Sequence, residues 1–315
     1  MTSSFTIAGQ RAAWSRTHAL TEADAAAMAA LRQLTAPHKG RLRGAAARAP
    51  FDDIMSRVAA PDGVAYAEDR IGGVSGWWCR PDGARSGAAI IHLHGGWFSW
   101  GSALTFRHLV GQIAQRAQVA AFIPDYRLAP EHPYPAGLMD ALAVWRDLAG
   151  RPGLRVALSG DSAGGALALS LLALLAADVD APQPVAAAVL SPVTDLTLGG
   201  ASWRTRADAD PYFVVEQGRH QVRDYLNGHD AADPQASPLF GALAGLPPLR
   251  VHVGDDEVLL DDALRYVERA AAAGVDALAE VWMGMPHGFA SGVGRFNAAG
   301  LALDAIAGFL AERLL

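Results

Sequence analysis

"LSGDSAGGALALSLLALLAA", residues 158–177, sets one serine among glycines, with apolar strand-like sequence before it and an apolar, alanine-rich run after it. Gly160 and Gly164 flank Ser162 in the pattern G-x-S-x-G. A serine on a sharp strand-to-helix turn has a strained backbone. The residues two before and two after it crowd together, and only glycine tolerates that approach. Such a turn lifts the hydroxyl off the sheet edge, beside the N-terminus of the next helix. By chance, a chain with 15 serines and 33 glycines in 315 residues holds about 0.16 such matches, so the flanks carry the reading. "GLRVALSG" (153–160) reads as a buried strand, and 163–177 has the apolar density of a core helix.

Working outward, the alternation of strand and helix continues. Upstream, "GAAIIHLHGG" (87–96) is an apolar run ending in glycines, followed by a helix pattern over 103–117, a strand in 118–128 and a helix over 136–149. Downstream come strands in 185–192, 248–254 and 277–283, with helices over 259–274 and 297–314. Strands alternating with helices predict a parallel, doubly wound sheet whose ligands sit at the carboxyl ends of the strands. "GVAYAEDRIGG" and "VSGWWCRP" (63–81) predict an antiparallel pair ahead of it. Residues 1–50 are alanine-rich with a helical pattern, and Thr21 followed by Asp24 resembles a capping box. Residues 195–235 interrupt the alternation and carry a separate helix over 213–228. The expected division is a core of 51–194 and 236–315, with 1–50 and 195–235 folding over the strand ends as a cap.

Composition bounds the function. Hydrophobic residues make up 51% and charged residues 18%, enough for a sizeable core. A net charge of −6 and the lack of basic runs argue against nucleic acid as a partner, since the arginines of "RLRGAAAR" (41–48) fit a solvated helix face. One cysteine, Cys79, excludes an internal disulfide, fits a reducing compartment and reads as a buried, inert thiol. The N-terminal stretch has no charged start followed by a long apolar run, and the longest apolar run is too short to span a bilayer. These features predict a cytoplasmic protein without membrane insertion, and they leave a homodimer open.

A serine hydroxyl needs a histidine to take its proton and a carboxylate to orient that histidine. His287 in "MGMPHGFA" follows the last predicted strand, and "HVGDDEVLLDDA" (252–263) offers carboxylates at the same edge. The order serine, acid, histidine is that of a hydrolase on this kind of sheet. "HLHGGWFSWG" (92–101) can curl its amides inward. Gly96 and Trp97, with Ala163 after the serine, are the expected oxyanion donors. Trp97, Phe98, Trp100, Phe213 and Phe289 are the candidate substrate-pocket lining.

These motifs together resemble the bacterial hormone-sensitive-lipase-like esterases (family IV) of the α/β-hydrolase superfamily. The matching residues are "HGGW" (94–97), "DYRLAPEHPYPA" (125–136), "GDSAGG" (160–165), "SPVTDLT" (191–197), "DEVLLDD" (256–262) and "HGF" (287–289), in family order. The resemblance implies an α/β-hydrolase fold with a helical cap and a serine carboxylesterase acting on short-chain acyl esters. It implies no metal or cofactor. It also implies an acid two residues before a leucine and four before an aspartate. Leu259 and Asp261 meet both spacings from Glu257, with Asp256 the alternative one residue away. The family's third oxyanion glycine is replaced here by Trp97. Asp125, Arg127 and Glu131 are expected to brace their loop. The same machinery could serve an amide, carbamate, lactone or acetylated-sugar substrate, and a non-catalytic receptor is the remaining alternative.

Overall fold

The computed structural model describes residues 13–314. Nine strands form one sheet: β1 (Ser15–His18), β2 (Val64–Ile71), β3 (Val74–Pro81), β4 (Ala88–Leu93), β5 (Ala120–Pro124), β6 (Arg155–Asp161), β7 (Ala187–Leu190), β8 (Leu249–Gly254) and β9 (Ala277–Trp282). Their order across the sheet is β1-β9-β8-β7-β6-β4-β5-β3-β2. All neighbours run parallel except β2–β3 and β3–β5, which are antiparallel. From β4 the chain moves to β5 on one side, then crosses back to β6 on the other. That reversal makes the carboxyl ends of β4 and β6 the natural ligand crevice.

The helices are α1 (Glu22–Thr35), α2 (Arg48–Ser56), α3 (Ala103–Ala117), α4 (Ala136–Ala149), α5 (Ala163–Ala177), α6 (Ser202–Thr205), α7 (Val215–Leu226), α8 (Leu260–Ala272) and α9 (Asn297–Leu314). Side-chain alternation along β4 sorts them into layers. Ile90 packs with Phe106 and Ile113 of α3 and Leu303 and Ile306 of α9. Ile91 packs on the opposite face with α4, α5 and α8. Because α5 is apolar nearly all round, it sits wholly inside, buried from Ala163 through Leu172. Cys79 is buried in the α3 layer, and burial pushes its thiol up to about 12, which keeps it an unreactive thiol at neutral pH.

The helical pattern expected through residues 1–50 needs a correction at 15–18, which join the sheet as β1 beside β9. "SRTH" has no apolar alternation. Its place comes from backbone pairing, from Arg16 and His18 on the Glu280 carboxylate at 3.0 and 2.7 Å, and from His18 stacked 3.7 Å over Trp282. Residues 1–12, the rest of that expected cap segment, lie outside the described residues. Beyond β1 the helical reading holds for α1, where Thr21 accepts the Asp24 amide as a cap. Asp24 in turn accepts the Asn297 amide at 2.7 Å, tying α1 to the start of α9.

Residues 32–48 and 207–221 are stitched together above the strand ends. Arg32 donates to Ala209 O at 2.7 Å, Gly40 N to Tyr212 O at 2.9 Å, and Gln217 to Leu42 O at 2.7 Å. Arg48 reaches down to Ser99 O at 2.8 Å and pairs with Glu131.

Candidate active site

Ser162 sits at the tip of β6 with φ 53° and ψ −119°, a positive-φ conformation that L-residues avoid. The turn is held by Ser162 N on Leu190 O (2.7 Å) and by Val193 N on Ser162 O (3.2 Å). Its two flanking glycines are needed on steric grounds. A Cβ on Gly160 would lie 2.5 Å from Gly164 O, and one on Gly164 would lie 2.0 Å from Leu93 O of the neighbouring strand. The serine turn is therefore pressed against the start of the 94–101 loop.

That loop is fixed from below. Asp161 accepts the Gly95 amide at 2.9 Å, and Ser99 N and Trp100 N both close onto Gly96 O at 2.9 and 2.8 Å. Gly96 has φ 119°, and a Cβ there would meet Trp100 O at 2.3 Å. Trp97 and Phe98 follow with φ 55° and 59°. The N–H groups of Gly96, Trp97 and Ala163 have no acceptor among the described residues.

His287 lies in the turn after β9. Its Nε2 is 3.0 Å from Ser162 Oγ, and its Nδ1 is 2.6 Å from Glu257 Oε2. With an acceptor-only carboxylate at Nδ1, that nitrogen carries the proton and Nε2 is free to accept from the serine. Glu257 is fully buried, and its other oxygen accepts from Ser191 Oγ at 2.7 Å and Gly254 N at 2.8 Å. Burial would push the His287 imidazole down. The Glu257 hydrogen bond and charge, aided by Asp210 and Asp161, outweigh it and hold its pKa above the ordinary value.

The neighbouring carboxylate faces elsewhere. Asp256 pairs with Arg32 of α1, and its amide bonds Met285 O at 3.1 Å. A Cβ on Gly254 would lie 2.0 Å from Met285 O, so this glycine lets the acid loop and the histidine loop touch. The structure thus sets Glu257, not Asp256, against His287.

The α/β hydrolase fold family matches residues 90–291. An acetyl-hydrolase of Streptomyces hygroscopicus is 40% identical over 69% of this chain and 73% of its own length. An esterase of Acinetobacter venetianus is 38% identical over 70% and 73%. Among solved structures, an esterase of the bacterial hormone-sensitive lipase family superposes with a TM-score of 0.87 at 34% identity, covering 95% of this chain and all of that one. The chain belongs to the hormone-sensitive-lipase-like esterases of the α/β-hydrolase fold.

Within that esterase frame, the five aromatic candidates divide. Phe213 meets the His287 ring edge-on at 4.9 Å, and Trp97 meets Phe213 edge-on at 5.4 Å. The other three go to packing rather than to the histidine. Phe98 stacks on Tyr225 of α7 at 3.8 Å, since its ring points into the inserted segment. Trp100 donates to Gly44 O at 2.7 Å and packs on Phe51. Phe289 joins Met28, Trp282, Met285 and Phe296 in a small core of its own.

The bracing residues lie where their loop needs them. Asp125 accepts the Ala103 amide at 2.7 Å and Arg127 grips Asp140 at 2.8 Å. Asp261 and Asp262, which fit a helix N-terminus by charge alone, also reach across to other segments. Asp262 accepts the amides of Thr194 and Asp195, and Asp261 accepts that of Ser202. Two residues with no role readable in sequence stand next to the acid. Ser191 lies in "SPVTDLT" (191–197), and only the fold shows its hydroxyl on Glu257. Asp210, in "RADADPYF" (206–213), gave no signal at all.

Proposed function

We propose that this esterase hydrolyses short-chain acyl esters through an acyl-enzyme on Ser162. The observation that carries the reading is the hydrogen-bonded line Ser162–His287–Glu257 beside unpaired backbone N–H groups. Ser162 Oγ attacks the ester carbonyl carbon while His287 Nε2 takes the hydroxyl proton. The N–H groups of Gly96, Trp97 and Ala163 stabilise the oxyanion. His287 then returns the proton to the departing alcohol oxygen. Water, deprotonated by the same imidazole, attacks the acyl carbon and releases the acid and the free serine. Glu257 keeps Nδ1 protonated and stabilises the imidazolium.

Trp97 sets the acyl limit in this reading. An indole stands where the family has a hydrogen, beside the reacting carbonyl, and it packs against Phe213. Acetyl esters are the first substrates to try, in keeping with the acetyl-hydrolase relative. Residues 19–50 and 195–235 act as the cap over this site, supported by the bonds that join the two segments. A cytoplasmic site of action belongs to the same proposal, supported by the single buried cysteine.

Purified protein assayed on p-nitrophenyl esters of increasing chain length tests the reading. Activity should peak at acetyl to butyryl, and Trp97→Gly should move the peak toward longer chains. Glycine relaxes the φ of 55° at that position, so a lengthened profile reports the lost indole and not a strained loop. An unmoved profile removes Trp97 as the limit.

A further inference from the structure

Asp210 is fully buried in the inserted segment, 47 residues before the acid of the triad, and no step of the ester mechanism above uses it. Its Oδ2 accepts the N–H of Val258, the residue next to Glu257, at 2.9 Å. Its Oδ1 accepts the N–H of Tyr212 at 2.7 Å and of Phe213 at 2.8 Å. One carboxylate therefore grips two of the elements that touch the His287 ring: the loop carrying Glu257 at Nδ1 and the residue whose phenyl meets the ring edge-on at 4.9 Å. We propose that Asp210 is a positioning residue of the ester-hydrolysing site, a second buried carboxylate that fixes Glu257 and Phe213 around His287 and adds a negative charge to the one that holds the imidazolium. This rests on the esterase reading of the same site.

The chemistry fits an ionised group. Both oxygens receive N–H donors, and three such bonds favour the carboxylate form against the cost of burial. Burial holds the Asp210 carboxyl above its usual range, and the three amides and the nearby His287 oppose that shift without cancelling it. Three carboxylates face His287 from three elements: Glu257 after β8, Asp161 at the end of β6, and Asp210 from the inserted segment. Lys39 bonds the backbone oxygens of Ala207 and Asp210, so it secures the segment without neutralising the carboxylate through a direct pair. Because the insertion supplies Asp210, the inserted segment and the loop carrying Glu257 are joined by one side chain.

The test follows the His287 carbon signal by NMR titration in protein labelled with carbon-13 histidine, assigned as the signal lost in His287→Asn. In Asp210→Asn the histidine should titrate lower than in the wild type by about half a pH unit or more, because a negative charge near the imidazolium is gone. The same variant should lose kcat on p-nitrophenyl butyrate by about tenfold or more, since small misplacements of a catalytic group are costly. Asp210→Glu is the second arm. It keeps the charge, so His287 should titrate closer to the wild type than it does in Asp210→Asn, yet kcat should fall because the longer side chain displaces Val258 and Glu257. An unshifted His287 in a folded Asp210→Asn protein overturns the proposal. Full kcat in Asp210→Glu overturns it as well, whether or not the asparagine variant folds. The titration needs no turnover, so a wild type that cleaves no ester would defeat the esterase reading and leave this comparison standing.

Discussion

At the scale of single residues, the sequence was most legible where sterics are local. The two glycines around Ser162 announce a forced turn, and the added-Cβ distances of 2.5 and 2.0 Å give the reason. The choice between two adjacent carboxylates rested on family spacing, and the geometry gives each a separate partner: His287 for Glu257 and Arg32 for Asp256. Glu257→Gln should therefore lower kcat by about 10⁴, as loss of the orienting acid does in such triads, while Asp256→Asn should stay within about tenfold of wild type. Comparing kcat for the two variants checks this, and a large loss confined to Asp256→Asn contradicts it. The pH dependence follows from His287. A base must be neutral to accept the serine proton, and here its pKa is raised, so activity is lost as pH falls through a value above about 6.5. A kcat/KM profile with its acid limb centred above that value is expected. A limb centred well below it would mean that Glu257 does not hold the imidazolium. Asp210 could not be read in advance, because its meaning lies in amides that distant segments bring to it. Aromatic residues were legible as a class only. Nothing in the sequence of Phe98 or Phe289 says which layer its ring will fill.

At the scale of elements, helix limits were readable for the longer apolar runs. The runs over 103–117, 136–149, 163–177 and 297–314 coincide with α3, α4, α5 and α9. The four-residue α6 and four-residue β1 carry too few residues for any period to show. The turn from β6 into α5 offers a direct test of the packing argument, because Gly164 and Gly165 are adjacent and differ in surroundings. A methyl on Gly164 would meet backbone oxygen at 2.0 Å, which cannot yield without separating α5 from β4. A methyl on Gly165 would meet the Pro192 side chain at 3.1 Å, where a few tenths of an ångström suffice. Gly164→Ala should destabilise by about 3 kcal/mol or more and abolish most activity, whereas Gly165→Ala should cost about 1 kcal/mol. Urea unfolding midpoints and kcat of both variants check the pair. Equal losses would mean that the serine turn is not pressed against β4.

At the scale of the whole molecule, the parallel sheet and the place of the site at its strand ends followed from the alternation of strands and helices. The sheet's far edge did not. β1 is polar, and its place depends on Glu280 and Trp282, more than 260 residues later in the chain. The joining of the 32–48 and 207–221 segments is likewise a product of tertiary bonds, Arg32 and Gln217 reaching carbonyls across 177 and 175 residues. What unites the sheet, the segments above it and the loops is the proposal that they make Ser162 a nucleophile toward esters. Intact-mass and peptide-mass analysis after stoichiometric treatment with an organophosphate measures this most directly. One phosphoryl group should appear on the peptide containing Ser162, in proportion to lost esterase activity, and Ser162→Ala should be both unlabelled and inactive. Labelling at another residue, or full activity in Ser162→Ala, would contradict the account.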